Sequence, residues 1–220
     1  MVRNLITSPN EAGLAALYAR FADRWHMSIS KLGFPAAYAD LMAHDAACRR
    51  QGGTTAPQKV LDAGTGSGAM ADAVLGQYPA PATLVLLDNS DAMLAQARAR
   101  FEGYGGALHS VNADMRSDAL PRAAYDTITS AHLAEHTPDP AAILQTFCDM
   151  LVPGGVLVLA LSKPHWCTAI VRWRWGHKAF RPDQVIAMLR TAGFAAIDHV
   201  PFASGPPGRI SCGYRAVKPA

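Results

Sequence analysis

A short apolar run that ends on an acid and leads directly into alternating glycines is the segment best suited to hold a ligand. Residues 59–68 read Lys-Val-Leu-Asp-Ala-Gly-Thr-Gly-Ser-Gly. Glycines at alternate positions let backbone amides approach a ligand closely, and they allow positive φ where a strand turns into a helix. Asp62 adds a negative group directly before them. The segment therefore predicts a ligand-binding loop between a strand and a helix.

A second acid, Asp88, ends the next apolar run, Thr-Leu-Val-Leu-Leu-Asp. Its spacing from the glycine loop is typical of a carboxylate that binds the two hydroxyls of a ribose. Asp88 could instead only cap the helix that follows it. The apolar run and the upstream loop favour ribose binding, so the two motifs together predict a nucleoside site.

Two kinds of nucleoside ligand fit this loop. Gly64, Gly66 and Ala69 satisfy the loose dinucleotide pattern G-x-G-x-x-G/A. Asp62 would repel the pyrophosphate of a dinucleotide, however, whereas it would attract an ammonium or sulfonium group. Asp114, after a third strand-like run, could accept a hydrogen bond from an adenine amine or simply start a turn. Three acids at strand ends favour a cationic adenosine derivative over a dinucleotide.

Further motifs follow in order along the chain. Residues 87–94 read Leu-Asp-Asn-Ser-Asp-Ala-Met-Leu, residues 113–115 read Ala-Asp-Met, residues 125–136 end in His-Leu-Ala-Glu-His, and residues 151–155 read Leu-Val-Pro-Gly-Gly. Together with the glycine loop they resemble the motifs of class I S-adenosylmethionine-dependent methyltransferases, in particular the UbiE-like group that acts on small molecules. The resemblance runs from about residue 58 to residue 162.

The resemblance implies that the chain binds S-adenosylmethionine and releases S-adenosylhomocysteine after methylating a small-molecule acceptor at O, N, S or C. It places the glycine loop beside the methionine portion and two methionines beside the adenine, where they could equally be ordinary core. The predicted cofactor-binding residues are Asp62, Gly64, Thr65, Gly66, Gly68, Asp88, Asn89, Met93, Asp114, Met115 and Ser130. A nicotinamide-dependent oxidoreductase with the same loop and a regulatory protein that binds S-adenosylmethionine without turnover are the alternatives.

His132 is the candidate catalytic residue. Methyl transfer from a sulfonium is an in-line displacement, so the protein mainly supplies alignment and desolvation. An acceptor that must lose a proton benefits from a nearby base, and histidine suits that task near neutral pH. His132 follows the fourth strand-like run at the mouth of the expected site, although it could instead only line the pocket. For the neighbouring Glu135 and His136, we favour ordering of the loop over catalysis.

Two segments are expected to select the acceptor. Residues 1–56 predict one or two helices that form a lid over the methyltransferase domain at 57–220. Residues 163–181, after the fifth strand, are rich in tryptophan and arginine, which could hold an aromatic or anionic acceptor, touch a membrane surface or only cover the core. The predicted substrate-binding residues are Tyr18, Trp25, His26, Trp166, Trp173, Trp175 and His177.

Strand-like runs alternate with helical patterns, of which 90–101 is the clearest, and this alternation predicts a doubly wound, Rossmann-like α/β fold. The last two runs are separated only by residues 203–209. This connection is too short for a crossover helix, so these strands must pair antiparallel. The resemblance implies a seven-stranded sheet in the order 3-2-1-4-5-7-6, with the ligand at the carboxyl ends of strands one and four.

Composition narrows the function classes. The 220 residues fit one α/β domain, and a net charge of +3 is too small to indicate a nucleic-acid partner. Four cysteines lack paired or metal-like spacing, which favours reduced thiols in a cytoplasmic protein. We find neither a signal peptide nor an apolar run of about 20 residues. We therefore expect a monomer or homodimer without stable membrane insertion, with peripheral membrane contact at most.

Overall fold

A computed structural model of the chain describes residues 29–78, 81–117, 120–166, 178–203 and 205–220. Its strands are β1 (Lys59–Ala63), β2 (Thr83–Asp88), β3 (Ala107–Asn112), β4 (Tyr125–Ala131), β5 (Leu151–Ser162), β6 (Ala195–Pro201) and β7 (Ser211–Val217). The main helices are α1 (Phe34–Gln51), α2 (Ala69–Gln77), α3 (Asp91–Arg100), α4 (Pro140–Met150), α5 (Pro182–Thr191) and the short α6 (Gly205–Ile210), with a 3₁₀ turn at Ala134–His136.

The strands form one sheet in the order β3-β2-β1-β4-β5-β7-β6. Neighbouring strands from β3 to β5 pair in parallel, whereas β7 is antiparallel to both β5 and β6. The predicted fold and its antiparallel last strand are thus confirmed. The link before β7 contains only the short helix α6, which cannot carry the chain back across the sheet. Because the strand order reverses between β1 and β4, their carboxyl ends open a crevice for a ligand.

The inner strands of the sheet are buried on both faces, as expected when helices cover a parallel sheet, whereas the edge strands β3 and β6 are partly exposed. Successive residues of β1 point to opposite faces. Val60 packs in a cluster that includes apolar residues of α1, α2 and α3, whereas Leu61 packs with residues of α4 and α5. Burying a large aliphatic side chain contributes about 1.5 to 3 kcal/mol to the stability of the fold. The helices on both faces therefore stabilise the strands whose carboxyl ends form the crevice.

Helix α1 begins after Gly33, whose φ of 86° is in the left-handed region, and Pro35 lies in its first turn. Glycine and proline at these positions therefore mark the start of the helix. The described part of the expected N-terminal lid packs directly on the sheet, so closely that a Cβ at Gly213 of β7 would lie 2.6 Å from Leu41.

A buried charge network fixes α1 in place. The carboxylate of Asp45 is fully buried and accepts hydrogen bonds from Arg49 Nε and Arg215 Nε, both at 2.8 Å, and from the Tyr78 hydroxyl at 2.9 Å. Arg49 Nη2 also donates to Thr127 Oγ1 at 2.8 Å. A buried charge is tolerated only when it is paired and hydrogen-bonded, and these partners tie α1 to α2, β4 and β7.

In the portion of the chain that the structure describes, every helix is too short or too polar to span a membrane.

Candidate active site

The loop between β1 and α2 is attached to the end of β2 through its main chain. The Leu87 carbonyl accepts hydrogen bonds from the N–H groups of Gly64 and Thr65, at 2.8 and 2.9 Å. Gly64, Gly66 and Gly68 have φ of 69°, 52° and 84°, a region that glycine adopts without steric penalty. The alternating glycines of the sequence therefore set a backbone path that side chains would strain.

Of these three glycines, Gly66 faces open space. A Cβ at Gly64 would lie 3.0 Å from Leu133, and one at Gly68 would lie 2.8 Å from Phe101. A Cβ at Gly66 would meet nothing within 4 Å. A ligand can therefore approach the loop backbone closely at Gly66.

Asp88 connects β2 to this loop. Its Oδ2 accepts a hydrogen bond from Gly66 N–H at 2.9 Å, and its Oδ1 accepts one from Ser90 N–H at 3.0 Å. The cap of α3 is Ser90, whose hydroxyl accepts from Met93 N–H at 3.4 Å, so capping is not the role of Asp88. Burial raises the pKa of Asp88. A carboxylate has about four acceptor sites, which leaves capacity for a ribose hydroxyl.

Asp62 lies beneath the loop, with no exposed surface. Its Oδ2 accepts a hydrogen bond from Thr65 Oγ1 at 2.7 Å, and its Oδ1 accepts one from Thr129 Oγ1 at 2.8 Å. Burial raises the pKa of Asp62 to about 6, although the two threonine hydrogen bonds oppose the rise. A ligand cannot touch this carboxylate in this conformation. Asp62 instead holds the loop from below and adds negative potential at short range.

The residues predicted to contact the adenine are less accessible to a ligand than the glycine loop is. Asp114 Oδ1 accepts hydrogen bonds from Arg116 N–H and Nε at 2.8 and 2.9 Å, and Oδ2 accepts from Nη2 at 2.6 Å. These bonds lower the pKa of Asp114. The start of a turn, one of the two sequence interpretations, accounts for this arrangement. Met93 and Met115 are both buried.

His132 follows β4 with a φ of 58°, a left-handed conformation that is uncommon for a residue with a side chain. Its Nδ1 lies 2.9 Å from Glu135 Oε1 and 3.3 Å from Ser162 Oγ. Ser162 also donates to Glu135 through its hydroxyl at 2.7 Å and its N–H at 2.8 Å. The imidazole is therefore held on its Nδ1 side.

The electrostatics of this group favour one tautomer of His132. Burial alone would raise the pKa of Glu135, but the neighbouring His132 and His136 and the Ser162 N–H together lower it to about 2. An ionised Glu135 next to Nδ1 holds the proton there and leaves a lone pair on Nε2. The Nε2 atom is buried and has no hydrogen-bond partner among the residues that the structure describes. His132 thus keeps an unpaired acceptor at Nε2, which an acceptor molecule can reach only when the residues that cover this atom move aside.

Helix α1 supplies an aromatic wall beside this histidine. The ring of Phe34 meets that of His132 edge to face, with centroids 5.3 Å apart, and the ring of Tyr38 lies 6.5 Å from it. Burial raises the pKa of Tyr38, helped by Glu135 and Asp62, so its hydroxyl stays protonated. Sequence analysis missed both aromatic residues. Their spacing of one helical turn was the available signal.

The structure brings part of the predicted site together and leaves part apart. The loop glycines, Asp88 and His132 meet at the carboxyl ends of β1, β2 and β4. Ser130 is fully buried and donates from its hydroxyl to the Ala63 carbonyl at 2.9 Å, so it joins two strands, while Asn89 is exposed beside Asp88. Trp166 is 81% exposed. The remaining substrate predictions fall outside the described residues: Tyr18, Trp25, His26, Trp173, Trp175 and His177.

Comparisons with known proteins agree on one class of chemistry. Residues 60–155 match the family described as a methyltransferase domain. The ubiquinone biosynthesis O-methyltransferase of Pseudomonas fluorescens is 24% identical over 165 residues, which cover 69% of this chain and 70% of that protein. The enzyme of the same name from Cronobacter sakazakii is 31% identical over 118 residues, which cover 52% of this chain and 47% of that one.

Solved structures share the fold. Human N-acetylserotonin methyltransferase in complex with S-adenosylmethionine superposes with a TM-score of 0.68 at 18% identity, covering 94% of this chain and 57% of that one. The N-methyltransferase NodS of Bradyrhizobium japonicum, in complex with S-adenosylhomocysteine, gives 0.61 at 21% identity, covering 81% and 86%. At these identities the likeness is one of fold.

Proposed function

We propose that the chain, whose residues 60–155 match the methyltransferase domain family, is a class I S-adenosylmethionine-dependent methyltransferase, and that it methylates a hydroxyl oxygen of a small-molecule acceptor with His132 as the general base. The observation that carries the choice of oxygen is the contact of 2.9 Å between His132 Nδ1 and the buried Glu135. The nicotinamide alternative is not favoured by the comparisons.

The glycine loop and Asp88 fit the cofactor. When bound, S-adenosylmethionine supplies a methyl group on a positively charged sulfur. The open face of Gly66 admits the methionine portion to the backbone, and Asp88 accepts the ribose hydroxyls with its remaining lone pairs. The buried charge of Asp62 favours a cationic group above the loop. Asn89, exposed beside Asp88, can contact the nucleoside from solvent.

An acceptor hydroxyl gives the dyad of His132 and Glu135 a task. A phenol has a pKa of about 10, so at neutral pH its oxygen must lose a proton as it attacks the methyl group. His132 Nε2 takes that proton, and the carboxylate of Glu135 stabilises the resulting imidazolium. A neutral amine already presents a lone pair and needs no base in the attack. The O-methyltransferase names of the curated relatives support the same choice.

The wall of Phe34 and Tyr38 suits an aromatic acceptor. Both side chains are buried and they pack at 5.8 Å between centroids, so they present apolar surface next to His132. Aromatic rings prefer offset or edge-to-face contacts with one another, and an apolar wall keeps water from competing for the methyl group. We therefore assign acceptor selection first to the start of α1. The segment at 163–181 remains a second prediction for that role.

Methyl transfer from labelled S-adenosylmethionine tests the proposal. The purified protein is incubated with panels of phenols, anilines and thiols, and the products are identified by mass spectrometry. We expect methyl groups on phenolic oxygen, lost in His132→Ala and retained in His109→Ala, which changes an exposed histidine of β3. Methylation of nitrogen, sulfur or carbon alone would refute the choice of oxygen. Tight binding of NADH, together with no binding of S-adenosylhomocysteine, would refute the assignment to the methyltransferases.

A further inference from the structure

Three side chains of metal-binding types converge at the far edge of the sheet, beyond β5 and β7 from the candidate active site. His44 and Cys48 lie one turn apart on α1, on the same face of the helix. Asp198 lies on β6, the edge strand. All three are half-buried, and their donor atoms lie within 4.8 Å of one another.

The separations of the three donor atoms are close to those around a tetrahedral metal ion. His44 Nε2 lies 3.4 Å from Asp198 Oδ2, Cys48 Sγ lies 3.5 Å from His44 Nε2, and Cys48 Sγ lies 3.7 Å from Asp198 Oδ2. Ligands at about 2.0 Å for nitrogen or oxygen and about 2.3 Å for sulfur are separated by roughly 3.3 to 3.6 Å around a tetrahedral ion. A direct N–H···O hydrogen bond is usually about 2.7 to 3.2 Å long, shorter than the histidine to aspartate distance.

The donor set and its surroundings suit zinc. One imidazole nitrogen, one thiolate and one carboxylate are the three kinds of ligand that Zn²⁺ accepts. Arg215 Nη1 lies 4.0 Å from the same Asp198 Oδ2, too far for a hydrogen bond, while Arg215 Nε is held by Asp45.

We propose that His44, Cys48 and Asp198 form a tetrahedral Zn²⁺ site whose fourth position is open to water. Binding releases the thiol proton of Cys48 to the solvent. The ion fastens α1 to β6, and because α1 also carries the wall of Phe34 and Tyr38, the site steadies the acceptor side from a distance. The sequence interpretation missed it because cysteine spacing alone was considered and Asp198 lies 150 positions from Cys48.

Titration of the purified, metal-free protein with Co²⁺ tests this site without any need for an acceptor. We expect a charge-transfer band from a thiolate ligand and intense visible bands typical of tetrahedral Co²⁺, both removed when Zn²⁺ is added. Cys48→Ser should abolish the charge-transfer band. Asp198→Asn should weaken affinity by more than the roughly 10-fold to 100-fold that loss of an outer partner costs.

His199→Ala is the matched control, because His199 is the exposed neighbour of Asp198 on β6 and is not part of the cluster. It should bind Co²⁺ as the unmodified protein does. A weak spectrum typical of octahedral Co²⁺, without a thiolate band, would show that surface histidines bind the ion. An equal loss of Co²⁺ binding in His199→Ala would show the same. Either result would overturn the proposal.

A second measurement needs no variant. Zn²⁺ should slow alkylation of Cys48 at least about 10-fold, since a coordinated thiolate is shielded from the reagent, while labelling of the buried Cys148 and Cys212 stays unchanged. Peptide mapping by mass spectrometry assigns each label. Equal labelling of Cys48 with and without Zn²⁺ would overturn the proposal even if the variants fail to fold.

Discussion

The two sides of the candidate active site are built in different ways. On the donor side, which comprises the glycine loop and the end of β2, main-chain groups make most of the contacts. The Leu87 carbonyl accepts from two loop amides, and Asp88 accepts from a third, that of Gly66, and from Ser90 N–H. The acceptor side comprises His132, Glu135, Ser162 and the start of α1. Its contacts mostly join one side chain to another. The donor side is therefore fixed by backbone geometry, whereas the acceptor side can vary residue by residue.

The largest expected effect separates the two sides. His132→Ala should lower kcat by about 100-fold or more, the contribution typical of a general base, and should leave the Kd for S-adenosylhomocysteine unchanged. Single-turnover kinetics and calorimetry measure the two quantities. A parallel loss of cofactor affinity would show that His132 serves the donor side.

Asp88→Ala should show the opposite pattern. Loss of hydrogen bonds to a charged group, each contributing about 1.5 to 3 kcal/mol, should raise the Kd for S-adenosylhomocysteine about 100-fold. We expect kcat at saturating cofactor to change little. Asp91→Ala, at an exposed acid in the first turn of α3, is the control for a general charge effect. An equal increase in the Kd for S-adenosylhomocysteine in both variants would contradict ribose binding by Asp88.

Glu135→Gln should lower kcat about 20-fold, within the range for a residue that positions another. Because the pKa of Glu135 is lowered to about 2, the carboxylate stays ionised and supports the imidazolium at every pH used for assays. Without it, the acid limb of the kcat/KM profile should move to lower pH. An unchanged profile with reduced kcat would indicate a structural role only.

Ionised Glu135 stabilises the folded state, because the pKa of its carboxyl group is lower in the folded protein than in the unfolded chain. Its folded pKa lies below the unfolded value, so its contribution to stability is present above that unfolded value and is lost as pH falls toward 2. Urea unfolding of the unmodified protein and Glu135→Gln at pH 7 and pH 3 should show a larger difference at pH 7.

The smallest effect concerns Asp62, whose pKa is raised to about 6. Protonation stabilises the ligand-free fold as pH falls through 6, because the folded state binds the proton more tightly than the unfolded chain does. A cationic cofactor favours the ionised form, so its affinity should be about 10-fold weaker at pH 5 than at pH 7. Calorimetric titration checks this, and Asp62→Asn should flatten the dependence.

The same contrast explains how much could be predicted from the sequence. The loop glycines and Asp88 lie within one strand-loop-helix unit and the strand that follows it, where local spacing is informative. The short link before β7 was enough to predict the antiparallel hairpin. By contrast, the support of His132 by Ser162, 30 positions away, and the approach of Phe34 from α1 depend on tertiary packing that no local pattern records.

Asp62 shows a similar limit within the donor side itself. Its position before the glycines singled it out in the sequence, but Thr65 and Thr129 close over the carboxylate, and hydroxyl contacts of this kind have no sequence signature. The role of Asp62 in cofactor binding stays a prediction, and a direct contact between its carboxylate and a ligand is not open in this conformation.

The left-handed backbone of His132 lowers the stability of the fold at the residue that we propose as the general base. Strain at such a residue costs about 1 to 3 kcal/mol, and glycine would relieve it. Selection for stability alone would therefore favour glycine at position 132. With His132 as the base that we propose, a thermostability screen of this chain would enrich inactive variants at this position.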